Sequence, residues 1–244
     1  MEEKCAVILA GGLGTRLRPY TIALPKPLVP IGKYPILEIV IRQLSECGFT
    51  RIIFAVNHQA DLIKAYFGNG EKWNVNIEYS LEKKRLGTMG PLTQISSLPN
   101  HFIVMNGDVL TDLKFDSFLE SHINSESIFT ISGYSRIQSV DYGILHFDSN
   151  NWLEGFEEKP NLEYTVSMGV YAVSKRVIDY IPKDTYYGFD SLMLDLLKHK
   201  EKIKVKMYDG YWLDIGRPSD YEKAIEDFGN NEEGFFHENT NNRG

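Results

Sequence analysis

The feature that most constrains this chain is a short apolar run, residues 4–9 (Lys-Cys-Ala-Val-Ile-Leu), that passes almost at once into Gly11-Gly12-Leu13-Gly14. The run reads as a buried strand, and glycines at its carboxyl end read as a loop whose backbone N–H groups can approach a phosphate chain closely. Residues 35–47 then read as a helix, with Pro35 in its first turn and Leu37, Val40, Ile41 and Leu44 at helical spacing. The alternation continues with a strand at 51–56, a helix at about 59–67, a strand at 76–79, a helix near 91–97, a strand at 101–105 and a helix at about 115–123. Strands alternating with helices imply right-handed βαβ units, so the chain is expected to be α/β with a doubly wound, mostly parallel sheet. The second half is richer in strands, at 127–134, 142–147, 152–157, 165–173, 203–208 and 211–214, with helices near 174–181, 189–199 and 218–228. These predict a strand-rich extension of the same sheet, within one domain covering residues 1–229. Residues 230–244 are polar and aperiodic and predict a disordered tail.

Composition narrows the class of partner. The 244 residues are 43% hydrophobic and 24% charged, enough apolar material for one sizeable core. A net charge of -7 argues against nucleic acid or an anionic membrane as partner, while leaving room for a local basic pocket that takes an anionic small molecule. Cys5 and Cys47, the only cysteines, sit among residues typical of buried elements and predict reduced thiols in a cytoplasmic protein. The start Met1-Glu2-Glu3-Lys4 is not the basic start of a signal peptide. No segment approaches the roughly 20 apolar residues that a membrane helix needs, since 28–41 is broken by Lys33, Pro35 and Glu38. A homodimer is the default assembly for a soluble oligomer.

The strongest motif is residues 8–30, Ile-Leu-Ala-Gly-Gly-Leu-Gly-Thr-Arg-Leu-Arg-Pro-Tyr-Thr-Ile-Ala-Leu-Pro-Lys-Pro-Leu-Val-Pro. Its glycines suit a phosphate chain, and Arg16 and Lys26 can neutralise that chain's charge, Arg as a fork and Lys as a point charge. A tight turn with solvated basic residues is the bland alternative, and the joining of Gly-Gly-x-Gly-Thr-Arg to Pro-Lys-Pro weighs against it. The dinucleotide fingerprint is excluded because Gly12-Leu13-Gly14-Thr15-Arg16-Leu17 lacks its third glycine, and Ala55-Val56-Asn57-His58 offers no carboxylate for a ribose. The P-loop ending in Gly-Lys-Ser/Thr is absent too.

Residues 6–30 resemble the signature of the sugar-phosphate nucleotidyltransferases, and mannose-1-phosphate guanylyltransferase-like and heptose-1-phosphate guanylyltransferase-like members share the pattern best. The resemblance runs on through Glu82…Leu86-Gly87-Thr88-x-Gly90, Asn106-Gly107-Asp108, Tyr142-Gly143, Glu157-Glu158-Lys159-Pro160 and Trp212-Leu213-Asp214-Ile215-Gly216, in the family's order and up to about residue 228. It implies a Rossmann-like nucleotide-diphospho-sugar transferase fold and transfer of a nucleotide from a nucleoside triphosphate to a sugar 1-phosphate, hexose or heptose, with release of pyrophosphate. Leu9, Gly11, Gly12, Gly14, Thr15, Arg16, Glu82, Gly87 and Thr88 would then bind the nucleotide, Glu82 and Gly87 in the region that reads the base. Gly143, Glu158, Lys159, Ser167 and Gly169 would hold the sugar phosphate. Many relatives have Asn-x-Gly where this chain has Ser167-Met168-Gly169, a difference in the sugar pocket.

Asp108 and Asp214 each follow an apolar strand, and ligands of open α/β sheets sit beyond such carboxyl ends. Two carboxylates meeting there, with triphosphate oxygens, make a hard oxygen site suited to Mg2+, whereas the histidines show no zinc-type spacing. Arg16, Lys26, Asp108, Lys159 and Asp214 are the expected catalytic set. Glu82 could accept from guanine N1–H and N2–H together, which favours GTP, and it could equally belong to the charge run Glu82-Lys83-Lys84-Arg85. A cytidylyl-, uridylyl- or thymidylyltransferase, and a non-catalytic sensor of nucleotide sugars, are the competing readings.

Overall fold

A computed structural model of the chain describes residues 3–57 and 60–236. The first part alternates as expected: β1 (Cys5–Leu9), a hairpin of β2 (Pro30–Ile31) and β3 (Tyr34–Pro35), α1 (Ile36–Glu46), β4 (Arg51–Val56), α2 (Ala60–Phe67), β5 (Asn76–Leu81), β6 (His101–Asn106), β7 (Val109–Thr111) and α3 (Phe115–Ile123). The second part holds β8 (Phe129–Ser139), β9 (Ile144–Phe147), β10 (Leu153–Glu157), β11 (Asn161–Ser174), α4 (Phe189–Lys198), β12 (Ile203–Tyr208), β13 (Trp212–Asp214), α5 (Pro218–Asn230) and α6 (Glu232–Phe235).

Seven strands form one sheet in the order β12-β8-β11-β6-β1-β4-β5. β5, β4, β1 and β6 are parallel neighbours, as are β8 and β12, while β11 runs antiparallel to both β6 and β8. The sheet is thus mixed and mostly parallel, with β11 alone reversed. Apolar side chains cover both faces, as parallel βαβ units require. One face packs on α1, α2 and α3 through Leu37, Ile41, Ile63 and Phe118, the other on α4 through Leu192 and Leu196. A third cluster gathers Leu17, Ile36, Leu213 and Phe228 beneath the glycine-rich loop.

The segments expected as helices near 91–97 and 174–181 are short 3-10 turns, Gly90–Gln94 and Lys175–Tyr180. Each is soon followed by a proline, Pro99 and Pro182, which disfavours continuation of a helix. β8 and β11 are longer than expected because their outer halves leave the core as a two-stranded ribbon, pairing Ser139 with Asn161 through Gly133 with Ser167. There neither strand has a buried face, since residues 135–139 and 161–165 are all exposed. The expectation of a disordered tail from residue 230 fails for its first part. Asn231–Phe236 continue into α6, Phe235 is buried, and its carbonyl accepts a hydrogen bond from Gln43 Nε2 at 2.9 Å. The remainder of that segment, 237–244, lies outside the described residues, as does Gln59, the first residue of the helix expected at 59–67. Among the described residues no helix is long and apolar enough to cross a membrane.

Candidate active site

The parallel strands β1, β4 and β6 end side by side, and the loops after them build a cleft of about 440 Å³. After β1, the glycine-rich loop turns at Gly14, whose φ of 61° is the left-handed conformation that favours glycine. The carbonyl of Gly14 accepts from Leu17 N at 2.9 Å and Thr21 Oγ1 at 2.7 Å, which fixes the loop's return. Gly12 has open space where a Cβ would be. The N–H groups of Gly11, Gly12 and Leu13 donate to no described residue, so they are left for a ligand's anionic oxygens. Asn57, at the end of β4, donates its side-chain amide to the Gly11 carbonyl. Leu9 ends β1 at the floor of the cleft, and Thr15 and Arg16 open the 3-10 turn that follows.

Beyond β6 the carboxylate of Asp108 forms an ion pair with the nearly buried Lys26. β7 then pairs with β13, setting Asp214 opposite Val109, and Ile215 N donates to Asp108 O at 3.1 Å. The register thereby brings together two carboxylates separated by about a hundred residues in sequence. Surrounding protein, and then the negative charge of Asp108, raise the Asp214 carboxyl above its ordinary range, while the cations of Lys26 and Arg16 oppose the rise. Asp214 keeps one side open to water at the mouth, which limits that shift. Gly216 lies beside both groups, an added Cβ falling at ordinary contact distance from Asp214 Oδ2, 3.7 Å, and Arg16 Nη2, 3.8 Å. Arg16 makes no ion pair among the described residues.

These residues fit Mg2+. No group of three or more histidine, cysteine or acidic side chains gathers as a ready metal cage among the described residues. What they offer is a crowded pair of carboxylates that a divalent cation would relieve. One or two carboxylates completed by substrate phosphates is the usual protein share of a magnesium site.

The far wall of the cleft carries Glu82, Arg85, Leu86, Gly87 and Thr88. Glu82 is not a freely solvated member of its charge run. Burial raises its carboxyl, against a hydrogen bond from Leu86 N at 3.2 Å that lowers it. Gly87 has φ 80° and lies so close to Tyr187 that an added Cβ would stand 2.6 Å from the Tyr187 carbonyl oxygen. Thr88 Oγ1 accepts from Phe189 N, at the start of α4, at 2.8 Å.

The remaining expected residues form a second group on the extension. Gly143 sits against Phe156 and the Glu158 carboxylate, an added Cβ falling 2.5 Å and 3.3 Å from them. Lys159 has a left-handed φ of 45° and makes no ion pair among the described residues. Ser167 accepts from Gly169 N at 3.3 Å and donates to Tyr171 Oη at 3.2 Å. Gly169, with φ 77°, marks the break in register of β11 and lies against Asn106 at the cleft, so it joins the two groups. Among the described residues no ion pair ties Lys159 to Asp108 or Asp214. Sequence reasoning missed Asn57, Arg85, Asn106 and Tyr186 as lining residues. The two asparagines end strands just as Asp108 nearly does, a signal that was available; Arg85 and Tyr186 belong to no motif.

Fold and site together define a doubly wound α/β protein whose strand mouth suits an anionic ligand and a hard cation. The chain belongs to the nucleotidyl transferase family, which it matches over residues 5–231. It is 34% identical over 240 residues to a UTP–glucose-1-phosphate uridylyltransferase of Synechocystis, covering 90% of this chain and 62% of that protein. It is also 34% identical over 227 residues to a mannose-1-phosphate guanyltransferase of Schizosaccharomyces pombe, covering 88% of this chain and 62% of that one. The chain therefore spans about three fifths of the length of these curated relatives. Among solved structures, HddC from Yersinia pseudotuberculosis is 33% identical with a TM-score of 0.72, covering 92% of this chain and 99% of HddC. HddC complexed with GMP-PN gives a TM-score of 0.69 at the same identity and coverage.

Proposed function

We propose that this chain transfers a nucleotidyl group from a nucleoside triphosphate, GTP by preference, to a sugar 1-phosphate in a magnesium-dependent reaction that releases pyrophosphate. The observation that carries the reading is the meeting of Asp108, Asp214, Lys26 and Arg16 beside the unbonded amides of Gly11 and Gly12. The acceptor's phosphate oxygen is already anionic, so attack on the α-phosphorus needs no general base. Catalysis reduces to positioning and to stabilising charge. The amides of Gly11, Gly12 and Leu13 cradle the triphosphate, while Arg16 and Lys26 stabilise charge growing on the departing pyrophosphate. Lys159 aligns the acceptor phosphate, and Glu158, Gly143 and Ser167 hold the sugar. Asp108 and Asp214 would hold Mg2+, which when bound supplies Lewis-acid stabilisation of phosphate oxygens.

For the base, Glu82 Oε1 and the second lone pair of Oε2 can accept from guanine N1–H and N2–H. The guanine nucleotide bound to HddC and the mannose-1-phosphate guanyltransferase of S. pombe favour this donor. The uridylyltransferase of Synechocystis favours UTP as the second reading. The test is a panel of GTP, UTP, CTP and dTTP against hexose and heptose 1-phosphates, read by pyrophosphate release with and without Mg2+. Turnover highest with GTP supports the proposal, and no release with any pair overturns it.

A further inference from the structure

Tyr186 is 70% exposed, although its neighbour Tyr187 is buried and takes the structural role, donating its hydroxyl to Asp195. Exposure by itself singles out no ring, since Tyr142 and Trp152 are more exposed still. Place singles out Tyr186. Tyr186 stands on the rim of the nucleotide cleft with Glu82, Arg85 and Thr88.

The segment that carries it is braced against the base loop from both sides. Tyr187 N donates to Leu86 O at 2.8 Å, and Met89 N and Gly90 N donate back to Tyr187 O at 3.0 and 3.1 Å. An added Cβ would lie 2.6 Å from Tyr187 O at Gly87 and 3.0 Å from Thr185 O at Gly90. The two glycines are therefore the points where the base loop leans on residues 185 and 187, and Tyr186 is the residue between. Its backbone cannot shift without separating the two segments, so the ring is presented to the cleft from a fixed base.

We infer that Tyr186 is a nucleobase-binding residue, its ring forming a stacking platform for the base whose edge faces Glu82. This rests on the nucleotidyltransferase reading and adds to it a recognition element that acts on the flat face of the base. Edge contacts choose among bases, whereas a π-face accepts any base and gains most from the larger surface of a purine. Tyr186 thus contributes affinity and Glu82 contributes choice.

The experiment is calorimetric titration of GTP and of UTP into the full chain and into Tyr186→Ala and Tyr186→Phe, with steady-state kinetics on the same proteins. Tyr186→Ala is expected to weaken GTP binding about 10-fold, and UTP binding less, as loss of one stacking ring does. KM for the sugar 1-phosphate should stay unchanged, and Tyr186→Phe should bind like the original protein. Unaltered GTP affinity in Tyr186→Ala, a parallel rise in KM for both substrates, or failure of Phe to restore binding would overturn the inference. If the original chain binds GTP but releases no pyrophosphate with any acceptor, the catalytic reading fails while the binding series still judges Tyr186.

Discussion

At the scale of single residues, the mouth of the sheet separates two kinds of charge. Asp108 and Asp214 are held by strand register, so replacing a carboxylate with an amide there leaves the backbone arrangement intact. Asp108→Asn and Asp214→Asn are each expected to lower kcat by about 100- to 1,000-fold. Asp214→Asn should keep a denaturation midpoint near that of the original protein, and Asp108→Asn, which leaves the nearly buried Lys26 without its counter-charge, should lower it. Pyrophosphate release over a range of Mg2+ checks this, and near-normal rates at limiting Mg2+ would refute the assignment. Glu82→Gln should lower the ratio of kcat/KM for GTP to that for UTP by about 10-fold, because an amide sets its own donor against one of guanine's N–H groups. Unchanged ratios would leave Glu82 as a carboxylate that holds Leu86 N and takes no part in the choice of base. Much at this scale was legible in sequence, since a phosphate loop and a strand-end aspartate announce themselves by what precedes them. Tyr186 was not, because its role comes from bracing against a loop about a hundred positions away.

At the scale of elements, α3, β8 and β11 meet at a buried polar knot. His122 is fully buried, its Nδ1 2.9 Å from Thr130 Oγ1 and its Nε2 3.1 Å from Ser174 Oγ, with the His101 ring 5.2 Å away. Burial, and then the nearby His101, push its pKa down from 6.5 to about 4. The unfolded chain takes up a proton near pH 6.5 while the folded one resists until about pH 4, so stability falls as pH drops through that window. At about 1.4 kcal/mol per pH unit the loss reaches up to about 3 kcal/mol. Urea denaturation at pH 7, 5.5 and 4 should show this component in the original protein and not in His122→Gln. Equal pH dependence in both would refute it. Element types were readable where burial imposes a period, as in β1, α1 and β4. They were misread where a proline cut a helix to a 3-10 turn, and where the ribbon of β8 and β11 loses its buried face.

At the scale of the whole molecule, the chain's first long helix holds its carboxyl-terminal segment. Gln43 on α1 is buried and donates to Thr111 O at 2.6 Å and to Phe235 O, while Tyr211 packs edge-on against Phe235 at 5.0 Å between ring centroids. Gln43→Leu takes a donor from two buried carbonyls and is expected to cost about 2–4 kcal/mol. Urea denaturation measures it, and a change below about 0.5 kcal/mol, the usual scale of a surface substitution, would show that the clamp is unimportant. This closure was invisible in sequence because α6 is one turn long and its order depends on Gln43 and Tyr211, both distant from it along the chain.

The reversed strand β11 has a consequence for how such a chain can vary. Because β11 opposes the sheet, its leading half leaves the core at the same end as the trailing half of β8, over the mouth. The ribbon carries at its outer end the segment with Gly143, Glu158 and Lys159, the residues proposed to hold the acceptor. Adding one residue to either strand would turn its outer side chains to the opposite face, whereas adding two to each would keep every face and extend the reach. The ribbon is a ruler with two-residue graduations, and larger or smaller acceptors could be accommodated by its length while the glycine loop and both aspartates stay where they are.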